Sequence, residues 1–228
     1  MDEALRTWQE EYAQYTAATV ENGHVKQPVC LGPFITAALR DDPRWLCFHL
    51  SRYKAASRLL PQPSANVLEL GCGEGLGTAI LAQSAAQCTA VDGNPQAIAA
   101  AKGLGVPVKF IEDAFLGKRY GQFRACVSLD VLEHFPQQQE EAFLQTCLDN
   151  LTQDGLCILG TPNITAARYA SPLSRKTHIN LYDAQRLRSL LARGFQNVLV
   201  FGMNDEVLHT GYYAMCHYLL GIGMGKKA

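Results

Sequence analysis

Residues 67–78 read V-L-E-L-G-C-G-E-G-L-G-T, and this stretch decides the fold. An apolar run leads into a glycine-rich turn, after which apolar residues recur at helical spacing. The run predicts a buried strand, the glycines let the backbone turn tightly and approach a ligand closely, and a helix follows. Because the turn stands at the N-terminus of that helix, the first hypothesis is a site for a phosphate or a nucleoside.

The spacing of the glycines narrows the choice of ligand. Dinucleotide-binding proteins carry G-x-G-x-x-G, in which the second glycine makes room for a pyrophosphate. This chain has G-C-G-E-G instead, with Glu69 two residues before the first glycine. A carboxylate would repel a pyrophosphate, but it suits a ligand that carries a positive amino or sulfonium group. The motif therefore points away from NAD.

With Glu69, Gly71, Gly73 and Gly75 in this order, the stretch resembles the first motif of the class I S-adenosylmethionine (SAM)-dependent methyltransferases, E/D-x-G-x-G-x-G. The resemblance covers about residues 67–203. It implies an α/β, Rossmann-like class I methyltransferase fold, with a mostly parallel seven-stranded sheet, helices on both faces and an antiparallel last strand. It also implies SAM as the methyl donor and S-adenosyl-L-homocysteine as the product.

Two acids that follow later strands extend the predicted cofactor site. Asp92 ends the strand C-T-A-V-D, 19 residues after Gly73, where an acid can accept hydrogen bonds from ribose hydroxyls. The resemblance implies that Asp113 accepts from the adenine amino group and that the Ala114 amide meets the ring. The predicted cofactor-binding residues are Glu69, Gly71, Cys72, Gly73, Gly75, Asp92, Gly93, Asp113, Ala114 and Leu129. Three residues of the preceding helix are candidates for the SAM carboxylate, although a solvated helix face is the favoured explanation for them: Arg52, Tyr53 and Lys54.

The stretch F-R-A-C-V-S-L-D-V-L-E-H-F at 123–135 predicts a fourth strand that ends near Leu129 and continues into D-x-x-E-H. Ligands of open α/β sheets bind beyond the carboxyl ends of the strands, where the strand order reverses. Asp130, Glu133 and His134 should therefore face the reaction space. A long Ser/Pro/basic loop at about 162–182 is expected to cover the substrate. Its candidate contacts are Arg168, Tyr169, Arg175, Lys176, His178 and Asn180.

These residues leave two ways to assist methyl transfer. In the first, His134 or His178 removes a proton from the acceptor as a general base, with Glu133 as a further catalytic candidate. In the second, Asp130, Glu133 and His134, with or without His178, hold a divalent cation such as Mg²⁺ that lowers the pKa of the acceptor hydroxyl. D-x-x-E-H resembles the metal-binding E-x-x-E-H of ubiquinone-pathway O-methyltransferases and of small-RNA 2′-O-methyltransferases, but it has Asp in place of the first Glu.

Composition bounds the class of protein. A chain of 228 residues is close to one large domain, and 48% apolar residues with a net charge of -1 give no polybasic surface for nucleic acid. We expect a single domain over 1–228, with a helical flank or lid at 1–62 and a SAM-binding core at 63–228. No run approaches the roughly 18 apolar residues of a membrane span, and the N-terminus lacks an apolar signal core, so a cytoplasmic location is expected. The eight cysteines lack any C-x-x-C pair, which favours reduced, packed thiols over a zinc site.

The sequence also predicts individual elements. Helices are expected at about 2–19, ending near Asn22-Gly23, and from Pro43, capped by Asp42, to Pro61. A loop with one helical turn at 34–39 should separate them. Asn94 should cap a helix that begins with Pro95, Pro136 should open a helix that ends near 154–155, and Asp183 should cap another. A terminal β pair is expected at 196–203 and 210–220, followed by a frayed tail.

The function predicted from these motifs is methyl transfer from SAM to a hydroxyl, rather than an amine, of a small molecule such as a sugar, glycoside or quinone-pathway phenol. Three alternatives stay open: an NAD-binding oxidoreductase, a SAM-binding protein without activity, and an RNA 2′-O-methyltransferase. The sequence leaves the acceptor and the oligomeric state open, a homodimer included.

Overall fold

The computed structural model describes residues 3–21, 29–61 and 65–227. Contacts within the chain separate Met1–Cys30 from Leu31–Ala228. The first unit contains one described helix, α1 (Glu3–Glu21), in which the Trp8 and Tyr12 rings stack 5.4 Å apart. The predicted end of this helix at Asn22-Gly23 lies outside the described residues. The division of the chain into a flank and a core stays a prediction.

The second unit is an eight-stranded sheet with helices along it. Its strands are β1 (Asn66–Leu70), β2 (Gln87–Asp92), β3 (Val108–Glu112), β4 (Phe123–Leu129), β5 (Leu151–Pro162), β6 (Phe195–Asn204), β7 (Val207–His209) and β8 (Tyr218–Lys226). The helices are α2 (Pro33–Asp41), α3 (Pro43–Leu59), α4 (Leu76–Gln83), α5 (Pro95–Gly103), α6 (Glu140–Asn150), α7 (Pro172–Thr177) and α8 (Ala184–Gly194). None of the helices in the described part of the chain combines the length and apolarity needed to cross a membrane.

The strand order is β3-β2-β1-β4-β5-β8-β6-β7. The first five strands in this order are mutually parallel, and β8 runs antiparallel between β5 and β6. The predicted Rossmann-like fold with an inserted antiparallel last strand is therefore confirmed, with eight strands rather than seven. The order reverses between β1 and β4, so ligands are expected beyond the carboxyl ends of these two strands.

Three helix starts follow the capping rules read from the sequence. The side chains of Asp42, Asn94 and Asp183 each accept a hydrogen bond from a backbone amide in the first turn of α3, α5 and α8. In α3 and α5 a proline stands at the first helical turn, where a missing N–H costs nothing. Each cap contributes about 1 kcal/mol to stability.

Apolar side chains fill both faces of the sheet. One cluster joins β4 and β5 to α6 and α8, and it includes Phe143, Leu187 and Leu191, each fully buried. The other joins β1 and β4 to α3 and α4 through side chains such as Ala56 and Leu81. Burying one large aliphatic side chain stabilises the fold by about 1.5–3 kcal/mol. Six of the eight cysteines are buried, as predicted, whereas Cys30 and Cys47 are exposed; the buried ones are Cys72, Cys88, Cys126, Cys147, Cys157 and Cys216.

Two predicted boundaries in the first half of the unit are wrong. The helical turn expected at 34–39 is the nine-residue α2. The helix expected to open at Pro136 begins with a 3₁₀ turn at Gln137–Gln139, and α6 ends at Asn150 rather than near 154–155. The strand β5 starts at once with Leu151, which pairs with Phe123 of β4. Tertiary pairing therefore overrides the turn signal of Asp154-Gly155.

The end of the chain differs most from the prediction. The last strand is β8 at Tyr218–Lys226, not 210–220, and Tyr213–Met215 forms a 3₁₀ turn. The predicted frayed tail is thus a central strand. The glycines of β8 hid this strand in the sequence, because glycine is uncommon in strands. They are needed here because neighbouring side chains occupy the space in which a larger side chain would lie. A Cβ on Gly223 would lie 2.3 Å from the Phe195 ring, and one on Gly221 2.6 Å from Leu191 Cδ1.

Candidate active site

The glycine turn joins β1 to α4 in a backbone conformation that only glycine adopts easily. Gly71, Gly73 and Gly75 have φ of 81°, 52° and 77°. A Cβ on Gly71 would lie 2.3 Å from Cγ2 of Val131, whereas one on Gly73 would meet nothing within 4 Å. The Gly71 and Cys72 amides donate to the Val91 carbonyl, 2.8 and 3.1 Å away. The turn is therefore packed on its inner side and open at Gly73.

Asp92 lies beside this turn because β2 is the parallel neighbour of β1. Its Oδ2 accepts from the Gly73 amide and its Oδ1 from the Asn94 amide, each at 2.8 Å. A carboxylate has about four lone-pair positions, so both oxygens can still accept further bonds. Gly93 follows, and a Cβ there would lie 3.8 Å from the Asp113 carbonyl. The ends of β2 and β3 thus adjoin.

Asp113 follows β3, and its amide donates to the Asp92 carbonyl at 3.0 Å. Its Oδ2 accepts from the Tyr120 hydroxyl at 2.9 Å, which leaves Oδ1 available. Burial and this bond to a carboxylate raise the pKa of Tyr120, so the hydroxyl stays a donor. Sequence reasoning missed Tyr120 because it lies in a loop, K-R-Y-G-Q, with no periodicity. Asp113 is brought next to Asp92 and the glycine turn, as its predicted role requires.

Two other predicted cofactor residues have buried side chains. Leu129, at the end of β4, is 2% exposed and belongs to the core, and Cys72 is 5% exposed. Burial raises the pKa of the Cys72 thiol, so it stays protonated. A ligand at the turn would meet these two residues through their backbone. Ala114 follows Asp113 directly in the chain.

Glu69 is a fully buried acid on β1. Neither of its carboxylate oxygens has a well-formed hydrogen bond among the described residues. Burial raises its pKa to about 7, although the neighbouring Thr78 and Tyr53 hydroxyls favour the charged form. A buried carboxylate without a well-formed hydrogen bond is costly in a native protein, so a cationic ligand would stabilise it. Its chemistry fits the positive amino group of SAM.

Asp130 ends β4 in the left-handed region, with φ of 59°. Arg52 of α3 donates through Nη1 to both of its oxygens, at 2.6 and 2.7 Å, and His49 Nδ1 lies 3.8 Å from Oδ2. Burial by itself would raise the pKa of Asp130, but the Arg52 and His49 charges outweigh it and lower that pKa to about 2. Arg52 also lies over the Tyr218 ring, 4.1 Å from its centroid.

Of the three α3 residues considered for the SAM carboxylate, only Arg52 reaches the carboxyl ends of the strands. Tyr53 is 2% exposed, and its ring covers Gly77 of α4 so closely that a Cβ there would lie 2.3 Å away. Lys54 pairs with Glu206 at 3.6 Å across an exposed surface.

Glu133, His134 and His178 form what we call the histidine cluster. Their ligand atoms all lie within 4.8 Å of one another. The two imidazole rings meet edge to face, with centroids 4.9 Å apart. The structure therefore brings Glu133 and His134 together with His178, whereas Asp130, predicted as a metal ligand beside them, is held by Arg52 outside the cluster.

The protonation of the histidine cluster follows from its surroundings. Burial, aided by the charge of Asp130, raises the pKa of Glu133 to about 8. The Oε2 of Glu133 accepts from Thr161 Oγ1 at 3.1 Å, and its Oε1 has no partner in the described chain. The Nδ1 of His134 lies 3.1 Å from the Thr177 carbonyl. Because a carbonyl only accepts, Nδ1 carries the proton and Nε2 keeps a free lone pair in the neutral ring. Burial, then the charge of His134, lowers the pKa of His178.

His178 reaches the cluster through the segment at 163–182, which is more ordered than the predicted loop. It contains a 3₁₀ helix (Ile164–Tyr169) and α7, whose first turn is capped by Ser171. After α7 the amides of Ile179 and Asn180 donate to the Glu133 carbonyl at 2.9 and 3.1 Å. The backbone of Glu133 thus holds the chain beside His178.

The other predicted substrate contacts of this segment have different positions. Arg175 donates through Nε to the Ala170 carbonyl, so it stabilises the segment itself. Arg168 lies over the Tyr169 ring, and both are exposed together with Lys176. Asn180 is 4% exposed, so its side chain lies in the interior rather than at the substrate face.

Comparison with known proteins decides the family. A family model described as a methyltransferase domain matches residues 47–200, which include the glycine turn, Asp92, Asp113 and D-x-x-E-H. The chain belongs to the methyltransferase domain family. This membership confirms the resemblance to methyltransferases read from the sequence and disagrees with the NAD-binding alternative.

Relatives and solved structures agree with this family. The ubiquinone biosynthesis O-methyltransferase of Xanthomonas oryzae pv. oryzae (strain PXO99A) is 30% identical over 151 residues, which are 63% of this chain and 59% of that protein. The protein of the same name from Xylella fastidiosa (strain 9a5c) is 34% identical over 121 residues, 50% of this chain and 48% of that protein. The chain thus spans about half the length of the curated relatives it matches.

Among solved structures, a TehB-like SAM-dependent methyltransferase from Corynebacterium glutamicum superposes with a TM-score of 0.61 at 16% identity, covering 97% of this chain and 100% of that one. The N-methyltransferase NodS from Bradyrhizobium japonicum, in complex with S-adenosyl-L-homocysteine, superposes with a TM-score of 0.58 at 20% identity and covers 82% and 90%. At these identities the likeness shows the shared fold.

Proposed function

We propose that this methyltransferase transfers the methyl group of SAM to a hydroxyl of a small molecule, and that the histidine cluster assists removal of the hydroxyl proton. The single observation that carries the proposal is the meeting of Glu133, His134 and His178 beyond the carboxyl end of β4. A hydroxyl needs such help because it is a poor nucleophile while protonated.

The methyl donor fits the other part of the same sheet edge. Glu69 offers an unpartnered buried carboxylate to the amino group, and Asp92 offers lone pairs to ribose hydroxyls. Asp113, held by Tyr120, keeps Oδ1 for the adenine amino group. The backbone of Gly71, Cys72, Gly73, Gly75, Gly93, Ala114 and Leu129 completes the proposed contacts.

His134 is the side chain best prepared to accept the proton. Its Nε2 lone pair is free because Nδ1 is bonded to the Thr177 carbonyl, and the ring is exposed to an acceptor. His178 packs against it edge to face, and its lowered pKa keeps it neutral near pH 7. Glu133, mostly protonated below its pKa of about 8, adds no negative charge when the acceptor oxygen develops its own. Aligning the oxygen with the methyl carbon supplies the rest of the rate enhancement.

The same three side chains also fit a divalent cation. Glu133 Oε1 is a buried oxygen without a partner among the described residues, and one ligand atom from each of Glu133, His134 and His178 lies within 4.8 Å of the other two. A bound cation would lower the pKa of an acceptor hydroxyl and orient it. Two imidazoles and one carboxylate favour Zn²⁺, Fe²⁺ or Mn²⁺ over Mg²⁺, which prefers oxygen ligands.

The supporting relatives carry the name ubiquinone biosynthesis O-methyltransferase, which indicates a hydroxyl acceptor. A phenol is therefore the first acceptor to test, with a sugar or glycoside next. The net charge of -1 gives no reason to place an RNA acceptor ahead of these.

The test is methyl transfer from labelled SAM across a panel of catechols, phenols and glycosides. His134→Ala and His178→Ala should each lower kcat by about 10²–10⁴-fold, the usual worth of a positioned acid–base group, with SAM affinity unchanged. If both variants keep full turnover, the proposal is wrong. Turnover measured after chelation and after addition of Mn²⁺ separates the two kinds of assistance: a metal-free enzyme at full rate supports the general base.

A further inference from the structure

A cluster of buried polar side chains lies directly beneath the chain that carries His178. We call it the Glu140 network; its members are Glu140 of α6, Asn180 and Tyr182 of the segment at 163–182, and Arg186 of α8. All but Arg186 are at most 5% exposed. No part of the proposed methyl transfer uses these four residues, so their arrangement needs another explanation.

The network is fully connected through Glu140. Its Oε1 accepts from the Tyr182 hydroxyl at 2.6 Å, from Asn180 Nδ2 at 3.1 Å and from Arg186 Nη2. Arg186 Nη2 also donates to Asn180 Oδ1 at 2.6 Å, and its Nη1 donates to the Leu181 carbonyl. The Asn180 side chain is therefore bonded at both its oxygen and its nitrogen, so it has one orientation.

Asn180 connects this network to the histidine cluster. Its side chain is held from below, while its backbone amide, with that of Ile179, donates to the Glu133 carbonyl. Glu133 is a member of the cluster, and His178 is two residues before Asn180. Because two residues span at most about 7 Å, these bonds at residues 179 and 180 keep the backbone of His178 close to Glu133.

Stability alone does not account for the network. The helices α6 and α8 are already joined by apolar side chains, among them Phe143, Leu187 and Leu191. A buried ion pair often adds no stability over apolar residues of similar volume, but it does fix the relative positions of the groups that it joins. A device that fixes geometry is expected where a functional side chain must be held within a fraction of an ångström.

We propose that Asn180, oriented by Glu140, Tyr182 and Arg186, is a positioning residue for His178. This inference rests on the proposed function of the histidine cluster. It assigns to the Glu140 network the task of holding the imidazole of His178 at the distance from His134 and Glu133 that proton removal requires.

The test is a double-mutant cycle on kcat. Asn180→Ala should lower kcat by about tenfold while the KM for SAM stays within twofold, since a misplaced catalytic group slows chemistry without weakening the donor site. In the His178→Ala background the same substitution should change kcat less than twofold, because its effect passes through the missing imidazole. An equal loss in both backgrounds would overturn the inference.

Two further variants guard against simple misfolding. Tyr182→Phe removes only one hydroxyl, and it should lower kcat severalfold with the same dependence on His178. Arg193→Met is the matched control: Arg193 and Glu141 join the same two helices through an exposed 3.0 Å ion pair that does not touch the segment at 163–182. Its kcat should equal that of the unchanged protein. A loss in the control as large as that of Tyr182→Phe would contradict the inference.

Hydrogen exchange separates the failure of this inference from that of the proposed function. The Ile179 and Asn180 amides should exchange faster in Asn180→Ala and Tyr182→Phe than in Arg193→Met. If no hydroxyl acceptor is methylated by the unchanged protein, the proposed function fails, and unchanged exchange in the network variants would independently overturn the inference.

Discussion

Two neighbouring parts of one sheet edge acquire their side chains in different ways. The proposed donor side, beyond β1, β2 and β3, takes Gly73, Asp92 and Asp113 from the carboxyl ends of three strands and the turns that begin there. The acceptor side, beyond β4 and β5, combines Glu133 and His134 with His178, which arrives from a separate helical segment. The donor side is thus set by local sequence and strand order, and the acceptor side by long-range hydrogen bonds.

Glu69 makes the donor side dependent on pH, and this is the largest effect that we expect. Its pKa in the folded protein is about 7, against an ordinary value of 4.5. The folded state therefore binds the proton of Glu69 more tightly than the unfolded state does. Protonation of Glu69 thus stabilises the fold fully below pH 4.5, and this stabilisation is lost as pH rises to about 7. Without SAM, the unfolding free energy of Glu69→Gln relative to the unchanged protein should rise by about 3 kcal/mol between these values. Urea unfolding at several pH values measures it; a constant difference would contradict the prediction.

Gly71→Ala should break the donor side alone. The substitution places a Cβ 2.3 Å from Val131 in a backbone with φ of 81°. Because Gly71 begins the turn, we expect SAM affinity to fall by about 100-fold, which corresponds to roughly 2.7 kcal/mol of strain and lost contacts. Calorimetry with SAM measures the loss. Gly103→Ala is the control, since a Cβ at this position in α5 would meet nothing within 4 Å.

Arg52→Gln should test the connection between the two sides. It leaves the charge of Asp130 largely buried without its main partner, and we expect the unfolding free energy to fall by about 2 kcal/mol. Asp130→Asn in the same chain should restore most of the loss, because the uncompensated charge is then gone. Thermal unfolding of the two single variants and the double variant measures the coupling. Additive losses would show that the 2.6 Å contact contributes nothing.

Tyr120→Phe should produce the smallest effect. Removing the hydroxyl frees Asp113 to rotate and to bind the adenine amino group less well, at a cost of about 1 kcal/mol or fivefold in SAM affinity. The affinity for an analogue with an oxygen in place of that amino group should be weak and unchanged by the substitution. An equal loss for both ligands would show that Tyr120 does not act through Asp113.

The sequence predicted most residues of the proposed donor side because each lies at or shortly after the end of a strand that the apolar pattern reveals. It did not find Tyr120, whose position depends on a loop anchored to α6 by Asn150. On the acceptor side it named His178 and Glu133 but grouped Asp130 with them. Only the fold shows that Arg52, from a helix far earlier in the chain, holds Asp130.

The sequence by itself determined the glycine turn, the helix caps at Asp42, Asn94 and Asp183, and the parallel half of the sheet, because these depend on local backbone geometry and apolar periodicity. Tertiary structure decided that the glycine-rich tail becomes the central strand β8, since its pairing with β5 and β6 outweighs its poor strand composition. It also decided that Asp130 lies outside the histidine cluster, because the bond from Arg52 joins segments distant in the sequence and carries no signal in local spacing.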